Sequence, residues 1–381
     1  MKKAVVVLLC LLAATAVFAG GGQEQAESSV IKIGVFEPMT GANAAGGAME
    51  VEGVMLANKL YPEVLGKKIE VVVVDNKSDK VEAANAVARL VDREKVVAII
   101  GSWGSSLSMA AGSIIKEAQV PTVGASCTNP LVTLGNDYYF RVCFIDPFQG
   151  AVMANYAYSE VGARKVAIVQ EISNDYSVGL AKFFTDQFVK LTKDPNAVVA
   201  VSNYNTGDMD FTAQLTHLKS LKPDAIFAPG NYTESGLLVK QARELGFDVP
   251  FLGGDTWETP EFIDVGKAAV EGVVFSTFFT TEIPITETSK IFIDEYRKEY
   301  KKEPAAVTAL GFDAYLVILD AIKKAGSTDT NAVRDAIAKT KGFPGAAGII
   351  TLDSNGDAVK NAVIKTVRDG NFSFVTTIVP E

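Results

Sequence analysis

Apolar runs alternate with amphipathic patterns along most of the chain. Residues 31–36, 68–75 and 96–102 are short runs rich in valine and isoleucine, which is typical of strands buried on both faces. Within residues 78–93, apolar side chains recur at helical spacing, at Val81, Ala84, Ala88 and Val91. This order of strand, helix, strand predicts a parallel sheet covered by helices.

The same alternation begins again at Arg164. It predicts strands at 166–170, 197–202, 225–228 and 250–253, and helices at 175–191, 211–221 and 235–245. The segments KIGVFEPMTG and KVAIVQEISN both begin with a lysine, continue as a strand and lead through a loop into a helix of about four turns. This similarity of layout indicates two lobes of one architecture.

The last third predicts a strand at 272–278, three helices near 287–300, 304–325 and 329–339, and β segments at 348–352, 362–367 and 372–379. We expect the three helices to return to the first lobe. The chain then crosses between the lobes near 146–150, near 276–280 and within 348–367. Parallel connections of this kind form a hinge that bends while the lobes stay together.

The predicted fold is therefore α/β, with two doubly wound parallel-sheet lobes joined by a three-segment hinge. The first lobe comprises residues 30–146 and 277–355, and the second comprises 147–276 and 356–381. A chain of 381 residues also exceeds what one hydrophobic core usually supports.

The first 19 residues have the composition of a secretory signal, with two lysines, an apolar run and small residues before Ala19. We expect cleavage after Ala19, with Ala16 as the alternative, and export to the periplasm. Cys10 raises the alternative of a lipoprotein, but Leu9 precedes it where a small residue is required. Residues 20–29 are polar and rich in glycine, and we expect a mobile leader.

Charge and composition limit the possible functions. Removal of residues 1–19 removes two positive charges and no negative ones, so the net charge changes from −9 to −11. An acidic chain without blocks of lysine and arginine is not expected to bind nucleic acid or anionic lipid.

The residues that most enzymes and metal sites require are scarce. His217 is the single histidine, and it lies off the apolar stripe of its predicted helix. We therefore expect no metal, no cofactor and no enzyme activity. Cys127 and Cys143 either form a disulfide or remain as two buried thiols.

Hydroxyl side chains follow two neighbouring strands of the first half. Ser102, Ser105 and Ser106 open a predicted helix, and Ser126 and Thr128 follow the short strand at 121–125. A helix N-terminus with nearby hydroxyls suits an anionic group such as a carboxylate. Helix capping alone also explains either cluster. Both lie where strands end, and ligands of open α/β sheets bind there.

The second half offers complementary side chains at corresponding strand ends. Tyr176 and Tyr232 each present an apolar ring and a polar tip. Asp255 follows two glycines and can accept hydrogen bonds from a cationic group. A turn residue or a cap for the helix near Thr259 is the alternative for Asp255.

Several motifs in a fixed order resemble the branched-chain amino-acid-binding family of periplasmic binding proteins, which has the type I fold. They are IKIGVFEPMTG, AIIGSWGSS, PTVGASCTNP, DYSVG after KVAIVQE, and APGNYTESGLLVKQARELG followed by FLGGD. The resemblance extends over essentially the whole chain after the signal. It implies an extracytoplasmic solute-binding protein that delivers its ligand to the membrane permease of an ABC transporter.

The resemblance also implies roles for individual residues. Ser105 and Thr128 match positions that bind the ligand's α-carboxylate, and Ser126 matches a position that offers backbone groups. Asp255 matches the acid that binds the α-ammonium, and Tyr176 and Tyr232 match aromatic residues that close over the ligand.

Two departures from the family pattern concern the ligand's side chain. Residues 44–47 read Ala-Ala-Gly-Gly where several relatives have an aromatic residue, and Trp103 adds an aromatic at the rim of the pocket. The family's disulfide near the first lobe's pocket has no obvious counterpart.

We therefore expect a monomeric carrier that captures a branched-chain or related amino acid between two closing lobes. A sensory module for a partner receptor, a carrier of a small amide or an aromatic acid, and a periplasmic enzyme remain alternatives. The identity of the ligand is left open.

Overall fold

The computed structural model describes residues 30–380, and the predicted signal peptide, its cleavage site and the predicted leader lie outside them. The first part of the described chain forms a six-stranded sheet with three helices. Its strands are β1 (Val30–Glu37), β2 (Glu63–Val64), β3 (Lys67–Asp75), β4 (Ala98–Ile100), β5 (Thr122–Gly124) and β6 (Tyr139–Arg141). Its helices are α1 (Ala44–Leu60), α2 (Lys80–Arg89) and α3 (Ser105–Ala118).

The order of the first sheet is β2-β3-β1-β4-β5-β6. The β1–β4, β4–β5 and β5–β6 pairs are parallel, and β2 is an antiparallel edge strand. Strand β3 lies on one side of β1, and the next strand in the chain, β4, lies on the other side, so the direction of the strand order reverses at β1. A crevice therefore forms outside the carboxyl ends of β1 and β4, where α/β sheets bind ligands.

The middle of the chain builds a second sheet of seven strands. The new elements are α4 (Asp146–Ser159), β7 (Val166–Glu171), α5 (Asp175–Thr192), β8 (Val198–Tyr204), α6 (Thr212–Leu221), β9 (Ala225–Phe227), α7 (Tyr232–Glu244), β10 (Phe251–Gly253), α8 (Pro260–Gly266) and β11 (Val274–Thr277). The order β8-β7-β9-β10-β11 runs in parallel. Strands β8 and β9 lie on opposite sides of β7, so the strand order reverses there and a second crevice forms outside the carboxyl ends of β7 and β9.

The end of the chain returns to the first lobe and then completes the second sheet. It contains α9 (Glu287–Tyr300), α10 (Ala306–Ala325), α11 (Thr330–Ile337), β12 (Phe343–Gly345), β13 (Gly348–Ile350), β14 (Ala362–Arg368) and β15 (Asn371–Ile378). Strands β14 and β15 extend the second sheet beyond β11 as antiparallel strands. The doubly wound α/β fold is confirmed, with antiparallel strands at sheet edges, whereas the residue boundaries given above for the two lobes stay predictions.

Two glycines bring α1 and α10 into close contact. A Cβ at Gly53 would overlap the backbone carbonyl of Thr308, and a Cβ at Gly311 would overlap that of Glu50. Only glycine permits this separation of the two helices, and the contact attaches the returning helices to the first lobe.

The helix predicted at 78–93 exists, but its buried face differs from the prediction. It consists of α2 and a π-helical turn, Leu90–Glu94. The face toward the core is formed by Ala83, Ala86, Val87 and Leu90, whereas Val81 is 66% exposed. Four alanines and three valines in this segment allow two different apolar stripes, and periodicity alone did not distinguish them.

Three further sequence observations have clear outcomes. Cys127 and Cys143 are buried free thiols, so the disulfide alternative is wrong. His217 lies exposed on α6. Within residues 30–380, no helix combines the length and apolar character needed to cross a membrane.

Candidate functional site

A cavity of about 130 Å³ lies between the two sheets, at the carboxyl ends of their central strands. Residues of both lobes border it. Five of the seven predicted site residues are among them, namely Trp103, Ser105, Ser126, Tyr176 and Asp255. Thr128 and Tyr232 are buried nearby but do not border this cavity.

The first lobe presents a helix N-terminus to the cavity. Helix α3 begins at Ser105 because Gly104 ends the preceding loop and because Leu107, Ala111 and Ile115 supply a buried stripe. No side chain caps this helix, and Gly104, Ser105 and Ser106 all border the cavity. The N–H groups and the positive end of the helix dipole favour an anionic group at this point.

The second lobe presents a buried carboxylate. Asp255 opens a 3₁₀ turn after β10 and is only 2% exposed. Its Oδ1 accepts hydrogen bonds from Gln149 Nε2 at 2.7 Å and from the Tyr176 hydroxyl at 2.9 Å. Burial raises the pKa of Asp255 to about 6 despite these two hydrogen bonds. Helix α8 is preceded by Thr259, so Asp255 is not its cap.

Ser126 does not direct its hydroxyl hydrogen toward the cavity. The Ser126 hydroxyl donates to Glu50 Oε1 on α1. Glu50 lies within hydrogen-bonding reach of Glu37, the last residue of β1, and both carboxyls are fully buried. Glu37 Oε2 also accepts from the backbone N–H of Trp103 at 2.6 Å. We refer to Glu37 and Glu50 as the carboxyl pair.

Trp103 and the Ala-Ala-Gly-Gly segment form one structural feature. A Cβ at Gly46 would overlap the Trp103 indole, so the glycine makes room for the ring. The indole also makes an edge contact with Tyr232 of the second lobe, at a centroid distance of 5.9 Å.

Thr128 lies behind the cavity in a buried polar layer. Its hydroxyl has no hydrogen-bond partner that the geometry establishes, and both oxygens of the nearby Asp146 carboxyl are also unpartnered. Burial raises the pKa of Asp146 to about 8. Arg141 is fully buried beside the same loop and donates to the carbonyls of Cys127 and Asn129. The loop that carries Ser126 and Thr128 is thus fixed from behind by a guanidinium.

Direct contacts join the lobes at the rim of the cavity. Asp175, the first residue of α5, accepts from Ser106 Oγ at 2.8 Å and from Lys80 Nζ at 2.9 Å. Asn231 Nδ2 donates to Asn43 Oδ1 at 3.1 Å, and the Tyr232 hydroxyl donates to the Ala42 carbonyl at 2.9 Å. Tyr232 therefore bridges the lobes. Its helix α7 begins at this residue, three positions earlier than predicted.

The ion pair between Lys80 and Asp175 is expected to stabilise the closed arrangement by a small amount. Both side chains are about half exposed, and such pairs contribute roughly 0.2–1 kcal/mol. We expect Lys80→Ala to increase the rate of ligand release about two- to fivefold, measured by stopped-flow fluorescence at low salt.

Lys77→Ala is the matched control, because Lys77 pairs with Glu82 within one lobe. This control is expected to leave the release rate unchanged. Equal effects of the two substitutions would contradict a role of the Lys80 pair in closure.

Several acidic residues around the cavity were missed from the sequence, namely Glu37, Glu50, Asp146 and Glu171. Glu171 borders the cavity, is 1% exposed and accepts from Asn174 and Thr206. One signal was available: the two lysine-led segments both end their strand on a glutamate, Glu37 in β1 and Glu171 in β7. Across the described residues, no group of three or more potential ligands is placed to hold a metal ion.

Comparisons with known proteins identify the family to which this fold belongs. A family model described as periplasmic binding protein matches residues 30–371. The chain is 30% identical to the Leu/Ile/Val-binding protein BraC3 of Rhizobium johnstonii, over 86% of this chain and 88% of that protein. It is 28% identical to the leucine-, isoleucine-, valine-, threonine- and alanine-binding protein of Pseudomonas aeruginosa, over 94% of both chains.

Two solved structures are similar over nearly their whole length. The leucine-binding protein LivK of Thermotoga maritima has 46% identity and a TM-score of 0.89, covering 92% of this chain and 99% of that one. The substrate-binding protein LivJ of Streptococcus pneumoniae, solved with isoleucine, has 35% identity and a TM-score of 0.85, with the same coverage.

Proposed function

Because this chain belongs to the branched-chain amino-acid-binding family of periplasmic binding proteins, we propose that it captures a small apolar α-amino acid for an ABC transporter. Membership of the family places the protein outside the cytoplasm. Within the proposal, the signal peptide directs it to the periplasm, and a membrane permease receives the closed, loaded form.

One observation carries the proposal. A buried acid, Asp255, and an uncapped helix N-terminus at Ser105 border the same cavity from opposite lobes. A zwitterion can be buried only when both of its charges have partners. An α-amino acid meets this requirement, with its carboxylate at α3 and its ammonium at Asp255.

The dimensions of the cavity favour a small ligand. Its volume of about 130 Å³ is slightly below the roughly 150 Å³ of an engineered cavity that holds benzene. Trp103, Leu107 and Tyr176 supply most of the apolar lining. Relatives are named for leucine, isoleucine, valine, threonine and alanine, and the smaller members of this set agree best with the volume.

Capture follows from the two-lobed arrangement. The amino acid first binds to the first lobe through α3 and its loop. Rotation at the hinge then brings Tyr176 and Asp255 over the ligand, while Tyr232 contacts Trp103 and the Ala42 carbonyl. Closure excludes water and strengthens the hydrogen bonds to the charged groups, which contribute roughly 1.5–3 kcal/mol each.

Other ligand classes agree less well with the site. An aromatic acid or a neutral amide has no ammonium group, so its binding would leave Asp255 buried without a cationic partner. A sensory protein would use the same pocket and would differ in its partner, which would be a receptor instead of a permease.

The proposal is tested by thermal-shift measurements with the twenty amino acids, small amides and benzoate, followed by calorimetry. We expect small apolar L-amino acids to raise the melting temperature by several degrees at a hundredfold excess over Kd. Stabilisation by benzoate or amides alone would contradict the proposal.

A further inference from the structure

The hydroxyl of Ser126 is already committed to the protein. Its hydrogen goes to Glu50 Oε1, so only its lone pairs are available to the cavity that it borders. Toward the cavity, a hydroxyl whose hydrogen is used in this way can accept hydrogen bonds but cannot donate one. It therefore suits an ammonium group and does not suit a carboxylate.

The carboxyl pair explains why Ser126 is held in this state. Glu37 Oε1 and Glu50 Oε2 have no partner outside the pair, and a single proton between the two carboxyls satisfies both oxygens. Two buried carboxylates in contact cannot both be charged. Contact with Glu50 raises the pKa of Glu37, and contact with Glu37 lowers the pKa of Glu50, so we expect the proton on Glu37 and Glu50 free to accept from Ser126.

The surroundings of the carboxyl pair limit it to at most one negative charge. Burial raises the pKa of Glu37 well above its ordinary value and the pKa of Glu50 to about 7. The other titratable groups that face the pair are Asp255 across the cavity, with Cys127 and Tyr139 beside Glu37. On α10, Gly311 packs against the Glu50 backbone and has no side chain.

Resting on the function proposed above, we propose that Glu50, held by Glu37, fixes Ser126 as a hydrogen-bond acceptor that helps to bind the ligand's ammonium group. Glu50 is then a positioning residue that acts through Ser126. The ammonium lies between Asp255 of the second lobe and Ser126 of the first, so one charged group of the ligand connects the two lobes.

The test compares Glu50→Met, Glu50→Gln and Ser126→Ala by calorimetry. The probes are the L-amino acid that stabilises the parent most and the carboxylic acid without its amino group, which for L-leucine is 4-methylpentanoate. At pH 8, Glu50→Met and Ser126→Ala should each weaken amino-acid binding about tenfold, and the double variant should be no weaker. Binding of the des-amino acid should not change.

Glu50→Gln is the conservative variant, because its amide oxygen can still accept from Ser126. It should bind the amino acid within about threefold of the parent. In the parent, an ammonium beside Glu50 favours the ionised carboxylate, so binding at pH 7 should release protons and affinity should rise with pH through about 7. Glu50→Gln should not release the protons that come from Glu50, and only the release from Asp255 should remain. Calorimetry in buffers of different ionisation enthalpy measures the number of protons released.

Glu52→Met, on the same helix, is the control for a substitution in α1 and should not alter affinity. The inference is overturned if Glu50→Met binds the amino acid as tightly as the parent, or if both probes weaken equally. Should Glu50→Met fail to fold, equal proton release by the parent and Glu50→Gln overturns it. In each of these cases the parent still binds its amino acid and the proposed function stands, whereas a parent that binds none removes both.

Discussion

Replacement of Asp255 by asparagine is expected to weaken amino-acid binding by about 2–3 kcal/mol, or roughly 30- to 150-fold. The substitution keeps the size of the side chain and an acceptor for Tyr176 and Gln149, but it removes the negative charge that faces the ligand. Calorimetry with the best-binding amino acid measures the loss.

The affinity for the amino acid should also depend on pH, because Asp255 must be ionised to bind the ammonium group. Burial raises the pKa of Asp255 to about 6, and a bound ammonium lowers it again, so the parent's affinity should fall as the pH decreases through about 6. Asp255→Asn should lack this component. The variant without ligand should be at least as stable as the parent, because it no longer buries an ionisable carboxyl.

Asp264→Asn is the matched control, since Asp264 lies on the adjacent helix α8 with its side chain 73% exposed. It should bind with the parent's affinity. Unchanged affinity in Asp255→Asn would place the ammonium elsewhere and would remove Asp255 from the site.

Replacement of Arg141 by methionine is expected to lower the free energy of unfolding by about 3–5 kcal/mol. Arg141 Nε lies 2.6 Å from Asp357 Oδ1, and both residues are buried. The substitution leaves Asp357 as an unpaired buried charge and removes the donors to the carbonyls of Cys127 and Asn129. Chemical denaturation monitored by circular dichroism measures the change.

The control for this prediction is Arg89→Met. Arg89 pairs with Glu94 on the surface of the first lobe, and its loss should change stability by less than about 0.5 kcal/mol. A similar small change in Arg141→Met would mean that the loop carrying Ser126 and Thr128 holds its conformation without the guanidinium.

The sequence was sufficient for the fold because its strongest signals are local. Short runs of valine and isoleucine between amphipathic segments predicted most of the strands and helices, although α4 and β6 were not predicted, and the repeat of this order predicted two lobes. The predicted buried face of α2 was wrong because alanine and valine occur on both sides of this helix, with Val81 exposed and Ala83 buried.

The site was predicted less completely, and the reason is physical. Ser105 and Asp255 follow strands of the two sheets, so strand order alone brought them to one cavity. The carboxyl pair joins the end of β1 to the middle of α1, and no spacing along the chain indicates that Glu37 and Glu50 meet. The relation between Trp103 and the Ala-Ala-Gly-Gly segment became interpretable only from the structure, in which Gly46 leaves room for the indole.

The chain has two tryptophans, and they lie in very different surroundings. Trp103 borders the cavity and contacts Tyr232 across the gap between the lobes, whereas Trp257 stacks on Phe262 inside the second lobe. The emission of Trp103 is therefore a built-in optical reporter of closure, and Trp257 provides a background signal from the interior of the protein. Opening and closing can be followed in real time on the unlabelled protein, with Trp103→Phe identifying the share of the signal that comes from the gap.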